Sequence, residues 1–205
     1  MATEGVQAAA VDRDELRAQI SEKYTDVAQS PELGFHFHTG RPPAAMLGYE
    51  TAAVDSLPAS TVDSFAGMGN PLSAGRLAEG AVVLDIGCGA GFDTLLAAQQ
   101  VGAGGRVIAV DMTEAMLART REGAEQLGLS NVDVRHGYAE ALPADDSSVD
   151  VVISNGVLNL TPDKMAAMRE VQRVLKPGGR IQIADIVVHQ EVPQDAKDDI
   201  DLWSG

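Results

Sequence analysis

The sequence predicts an α/β protein built on a doubly wound parallel sheet, and three observations carry that expectation. From residue 81 onward, short apolar runs alternate with segments of helical periodicity. The first run, "AVVLDI" (81–86), is continuously apolar apart from Asp85, as a strand buried on both faces is. Glycines and acids gather where the runs end, in "DIGCGAG" and "VDMT". Ligands of such sheets bind outside the carboxyl ends of the strands, where the strand order switches direction.

The elements follow in order. Residues 12–29 set Leu16, Ile20, Tyr24 and Val27 on one face at helical spacing, until Pro31 and Gly34 interrupt the pattern. From 34 to 80 the chain reads as irregular, rich in Gly and Pro, with one short helix near 60–66. After the first strand, Phe92, Leu95 and Leu96 begin a helical face that "GAGG" (102–105) ends. "RVIAVD" (106–111) is the second strand. Thr113 is placed to cap the next helix, whose stripe is Met116, Leu117, Ala124 and Leu127. "NVDVRHG" (131–137) alternates as a shorter third strand, and "VDVVISN" (149–155) is the fourth. Thr161 as N-cap and Pro162 at the first position open a helix with Met165, Met168, Val171 and Leu175 on one face. Pro177-Gly178-Gly179 ends it, and "RIQIADIVV" (180–188) is the fifth strand.

The 205 residues suit one domain with an appendage, divided as an N-terminal helix-and-loop cap (1–70) and a core (71–205). Hydrophobic residues make up 45%, enough for a sizeable core. No apolar run approaches a membrane span, and the first residues lack a basic region followed by an apolar stretch, so a cytoplasmic protein is expected. A net charge of −15 disfavours nucleic acid and anionic membrane as partners. Cys88 is the sole cysteine, and His36, His38, His136 and His189 show no zinc-helix spacing; neither a disulfide nor a metal site is expected.

The loop after the first strand spaces its glycines as Gly87-x-Gly89-x-Gly91. A dinucleotide fingerprint needs a glycine at the position of Phe92, which ranks a nicotinamide-dependent oxidoreductase second. Asp85 ends the first strand. Asp111 ends the second, 20 residues after Gly91, where a carboxylate can accept hydrogen bonds from both hydroxyls of a ribose or cap the next helix.

With "VLDIGCGAG", "VIAVDMT", "GYAEALPADDSSVDVVISNGVLNL" and "VLKPGG" in this order, residues 80–188 resemble the class I S-adenosylmethionine (SAM)-dependent methyltransferases. The resemblance implies a Rossmann-like fold, SAM as cofactor and a small-molecule acceptor. It implies that Gly87, Cys88, Gly89 and Gly91 pack on the methionine and sugar, that Asp85 lies near the amino group and that Asp111 binds the ribose. Met112 would pack on the adenine face, and Ala139 and Glu140 would flank its edge; many relatives carry Asp in place of Tyr138. Ser154 and Asn155 would face the methyl group and acceptor. The subfamily most resembled is the arsenite methyltransferases, which hold trivalent arsenic with cysteine thiolates. Their pattern places cysteines at Gly156, near Met68 and beyond Gly205; this chain has neither of the first two. A SAM-binding protein without turnover is the alternative from another class.

His36 and His38 in "FHFHTGRP" (35–42) sit two apart, on one side of an extended segment, and are candidates with Asn155 for catalysis, a histidine serving as general base. Arg41 could hold a carboxylate. The family's usual sheet has seven strands, and this chain has room for five, without the last two. The fifth strand is then a bare edge open to self-association.

Overall fold

A computed structural model describes residues 12–190, apart from Gly34, His36 and Val188. Five strands form one sheet: β1 (Val82–Ile86), β2 (Arg106–Asp111), β3 (Val132–His136), β4 (Val149–Asn155) and β5 (Leu175–Ala184). All neighbours are parallel and the order is β3-β2-β1-β4-β5. The chain winds outward from β1 to β3, then returns to β4 on the other side of β1. The switch point therefore lies between β1 and β4, and the carboxyl ends of these strands frame a crevice.

Alternation along the strands builds two apolar layers. Leu84, Ile86, Ile108, Val110 and Val152 face α7 (Lys164–Val174) through Ala167, Val171 and Val174. Val83, Val107, Val151 and Ile153 face α5 (Phe92–Val101) through Ala97, Ala98 and Val101. Beside α5 lies α6 (Glu114–Gln126), whose Leu117 packs on Ala109. Several expectations are corrected in detail. Met165 is exposed and Leu175 belongs to β5, because a helix that starts at Lys164 buries Ala167, Val171 and Val174, spaced four and three apart. Asp163, not Thr161, caps α7: its Oδ1 accepts the Ala166 N–H at 2.9 Å, while the Thr161 hydroxyl donates to the Val157 carbonyl. Thr113 makes no side-chain cap for α6; its N–H donates to Asp111 Oδ1 at 2.8 Å. β5 starts before Pro177-Gly178-Gly179, with a register irregularity opposite Val149 and Val151, and stops at Ala184. There the Asp185 carboxylate accepts the Leu158 N–H at 2.8 Å and draws the chain off the strand.

Ahead of the sheet, α1 (Arg13–Gln29) is capped by Asp12 and buries Leu16, Ile20, Val27 and Ala28. Three short helices follow: α2 (Arg41–Met46), α3 (Thr51–Asp55) and α4 (Ala59–Asp63). The sequence predicts one of these, near 60–66. Helices of five or six residues have no periodicity to read and are held by packing, not propensity. Here Val54, Leu57, Val62 and Phe65 supply that packing against Phe92, Leu95 and Leu96 of α5. Among the described residues no helix is long and apolar enough to cross a membrane.

Candidate active site

A cavity of about 140 Å³ opens at the carboxyl ends of β1, β2 and β4, roofed by α1 and the 64–67 segment. Its floor is the glycine loop. An added Cβ at Gly87, whose φ is +70°, would strike Val157 at 2.2 Å, so only glycine lets the loop pass the end of β4. The Gly89 N–H donates to Asp111 Oδ2 at 2.9 Å, and the Thr120 hydroxyl donates to the Gly89 carbonyl at 2.8 Å. Asp111 thus ties the loop to the end of β2.

Of the residues expected at the cofactor, Asp85, Gly87, Cys88, Gly89, Asp111, Met112, Ala139, Glu140 and Asn155 line this one cavity. Gly91 and Ser154 do not line it. Gly91 begins α5 and an added Cβ would meet Thr120 at 3.0–3.2 Å, so it serves close helix packing. Ser154 is buried and its hydroxyl donates to the Ile86 carbonyl at 3.2 Å, across to β1. Of the catalytic candidates, His36 lies outside the described residues. His38 is exposed and does not line the cavity. Phe35 and Phe37 pack inward with Tyr24, which turns His38 to solvent. Arg41 is exposed and pairs with Asp55 at 2.6 Å, away from the cavity.

The electrostatics are one-sided. Asp85 and Asp93 are buried, and Asp111 opens only to the cavity. Burial, reinforced by the charge of Asp93, pushes the Asp85 carboxyl up to about 8, although the Thr94 hydroxyl donates to it at 2.6 Å. Burial pushes Asp93 up to about 6, against hydrogen bonds from Tyr49 and Asn155. Asp111 is raised too, by desolvation against the backbone N–H bonds it accepts. The Cys88 thiol is raised well above its ordinary value by burial and then by Asp111 and Asp85, so it is no thiolate. Three carboxyl groups in one desolvated cleft favour a cationic ligand. The Arg17 guanidinium, at the mouth, is occupied: it lies 4.4 Å from the centre of the Tyr138 ring and donates to Glu140 Oε1 at 3.1 Å.

Reasoning from sequence missed Asp93, Tyr49, Arg17 and Tyr24. Asp93 reads as an ordinary acid in a helix's first turn. Tyr49 stands in the segment without periodicity. For Tyr24 a signal existed, since it was on the apolar stripe of α1; its hydroxyl is pushed up to about 12 by burial and by Asp111.

A model of the methyltransferase-domain family matches residues 77–204. The chain belongs to that family. An arsenite methyltransferase of Halobacterium salinarum is 39% identical over 95% of this chain and 53% of its own length. A demethylmenaquinone methyltransferase of Listeria welshimeri is 39% identical over 54% of this chain and 47% of its own. The chain thus spans about half the length of these curated relatives. Among solved structures, the arsenic(III) SAM methyltransferase of Chlamydomonas reinhardtii has a TM-score of 0.60 at 37% identity, over 75% of this chain and 51% of that one. A SAM-dependent methyltransferase of Aquifex aeolicus scores 0.53 at 29% identity, over 62% and 71%. The fold is the Rossmann-like one of class I methyltransferases, and both of these solved relatives carry SAM in their names. This chain's residues fit that group: acids for a sulfonium and an ammonium, a two-oxygen acceptor at the end of β2, and a glycine, Gly89, with no atom within 4 Å of where its Cβ would be.

Proposed function

We propose that the chain is a SAM-dependent methyltransferase acting on a small-molecule acceptor. One observation carries the reading: in a chain of this family, the Asp111-anchored glycine loop and the buried acids Asp85 and Asp93 converge on one cavity at the switch point. SAM supplies an activated methyl on a sulfonium. What remains for the protein is to bind, orient and exclude water. Asp111 would accept from the ribose hydroxyls, and Asp85 would face the ammonium. Met112, Ala139 and Glu140 would flank the adenine. Gly87, Cys88 and Gly89 would hold the sugar and methionine, and Asn155 would stand at the methyl end. The segment 12–70 forms the cap: α1 is fastened to the adenine edge by Arg17 through Tyr138 and Glu140, and Ile20 and Tyr24 close the cleft above Asp111.

For the acceptor, the thiol-bearing positions of arsenite-type relatives are informative. They correspond to Gly156 and the neighbourhood of Met68, and these two touch: an added Cβ on Gly156 would lie 3.0 Å from Met68 Cγ. A thioether faces a glycine where a thiolate pair would stand, and Cys88 is a buried thiol. At these two positions the chain therefore offers an acceptor shape and hydrogen bonding in place of thiolates. The setting is cytoplasmic, and β5, with exposed Ile181 at the edge of the described sheet, is the surface for self-association, tested by light scattering.

The experiment is calorimetric titration with SAM, S-adenosylhomocysteine and NADH, then release of S-adenosylhomocysteine over a panel holding arsenite, quinols, amines and phenols. Binding of both S-adenosyl ligands and turnover of one acceptor is the expected result. Binding without turnover of any acceptor would leave a SAM-binding protein, and NADH binding alone would restore the oxidoreductase reading.

A further inference from the structure

The stretch "FAGMGN" (65–70) lies in the Gly- and Pro-rich segment, yet the fold ties it down more tightly than a surface loop requires. Asn155, at the end of β4, binds its backbone with three hydrogen bonds. Oδ1 accepts the N–H groups of Met68 (2.8 Å) and Gly69 (3.1 Å), and Nδ2 donates to the Gly69 carbonyl at 2.9 Å. Two N–H donors on one atom identify it as the amide oxygen, so the nitrogen faces the other way. It faces Asp93, and donates to Asp93 Oδ2 at 2.9 Å. The other oxygen, Oδ1, accepts the Tyr49 hydroxyl at 2.6 Å. The two glycines make room for this: a Cβ at Gly67 would lie 2.4 Å from Asn155 Nδ2, and one at Gly69 2.6 Å from Ala184 Cβ.

Asp93 therefore accepts on both oxygens, the arrangement of an ionised carboxylate. It comes from the first turn of α5, directly after the glycine loop, whereas the backbone it stabilises belongs to the N-terminal segment. We propose that Asp93 is a positioning residue for the methyl acceptor: through Asn155 and Tyr49 it fixes the 67–69 backbone, and with it the Met68–Gly156 wall, against the end of β4. The inference rests on the reading that an acceptor is methylated in this cavity. It joins the element that carries the donor loop to the wall on the acceptor side, so both halves of the site share one carboxylate.

The test reads the latch itself, by hydrogen exchange of the Met68 and Gly69 amides in the full chain, corrected for intrinsic rates, from pH 8 to pH 5. Tyr49 from the 47–50 segment and Asp85 from β1 are the titratable groups that face Asp93, so Tyr49→Phe and Asp85→Asn accompany Asp93→Asn. In the unsubstituted chain, protection of these two amides falls as pH drops through about 6. In Asp93→Asn it is lower by about tenfold at pH 8, as for a local opening eased by one or two lost hydrogen bonds, and it no longer varies with pH. Asp85→Asn keeps the pH dependence, and Tyr49→Phe weakens the protection by less. Unaltered protection in Asp93→Asn, or a pH dependence that survives it, overturns the proposal. If Asp93→Asn does not fold, Tyr49→Phe and Gly67→Ala replace it, and unaltered protection in both is the overturning result. Exchange needs neither donor nor acceptor, so failure of S-adenosyl binding sinks the functional reading without touching this measurement. Once the panel yields an acceptor, Asp93→Asn raises the KM for acceptor more than that for donor; the opposite order removes the acceptor from the proposal.

Discussion

The two walls of the cavity are made differently. On the β1–β2 side, the anchor joins residues 22 apart, Gly89 to Asp111, and both stand at strand ends that announce themselves as apolar runs. On the β4 side, Asn155 reaches Met68, 87 residues away, and Asp93 reaches Tyr49, 44 residues away. The first wall is a property of two neighbouring βα turns. The second exists only once the N-terminal segment has docked. A motif can encode the donor wall because all its parts lie in a βαβ unit; the acceptor wall is left to tertiary packing, which is where relatives of one fold can differ in substrate.

The largest expected effect tests that docking. Tyr49, Phe65 and Phe92 form one aromatic cluster, with Phe65 and Phe92 ring centres 4.1 Å apart. Phe65→Ala is expected to cost about 3–5 kcal/mol of stability, as truncation of a buried aromatic does. Chemical denaturation checks it; a loss below 1 kcal/mol would mean that the N-terminal segment hardly depends on the contact. Next, Asp111→Ala removes two charged acceptors from the donor wall. Losing such bonds at about 1.5–3 kcal/mol each lowers S-adenosylhomocysteine affinity by about a hundredfold or more, read by calorimetry. An affinity unchanged by that substitution would break the contrast, because the donor wall would then have no anchor.

The pH dependence sharpens it further. Asp85 is raised in the folded state to about 8, from an unfolded value near the usual ~4 for a carboxyl. The folded state holds its proton longer, so this group's contribution to stability is full below the unfolded value and is lost as pH rises through the folded one. Ligand-free protein should lose stability from about pH 4 to pH 8 by a slope that Asp85→Asn reduces, leaving the share of Asp93, whose carboxyl is raised to about 6; urea denaturation across that range measures it. The smallest effect belongs to the outer surface. Arg41→Ala, at an exposed ion pair far from the cavity, changes stability by less than ~1 kcal/mol and leaves S-adenosylhomocysteine binding as it was. A large loss of binding would return Arg41 to the site.

The same contrast explains what the sequence showed. β1, β2 and β4 were legible within a residue or so, because buried parallel strands are short apolar runs between turn signals. The position of Asp111 at a strand's carboxyl end beside the glycines was legible too, but its anchoring of the loop through the Gly89 N–H was not, because the sequence assigns that carboxylate to a ribose or to a helix cap. Ser154 was assigned to the cavity because its position at the strand end is right; its hydroxyl is taken by the Ile86 carbonyl instead, which a one-dimensional pattern cannot show. His38 looked chemical by residue type, but Phe35 and Phe37 claimed the inward side of the segment. Tyr49 and Asp93 were illegible for a deeper reason. Their partners lie tens of residues away, and Tyr49 stands between two helices too short to carry any period.

The crowding of Asp85, Asp93 and Asp111 has a further consequence once the ligand is a cation. At neutral pH the empty cleft holds Asp85 mostly in its acid form. A sulfonium or ammonium beside it favours the ionised form, so binding expels a proton into the buffer. The apparent heat of binding should then change with the ionisation enthalpy of the buffer, and the slope of that plot counts the protons released. Association would be an ion exchange, with hydrogen ion as the species displaced, and it would strengthen as the medium becomes more alkaline toward about pH 8.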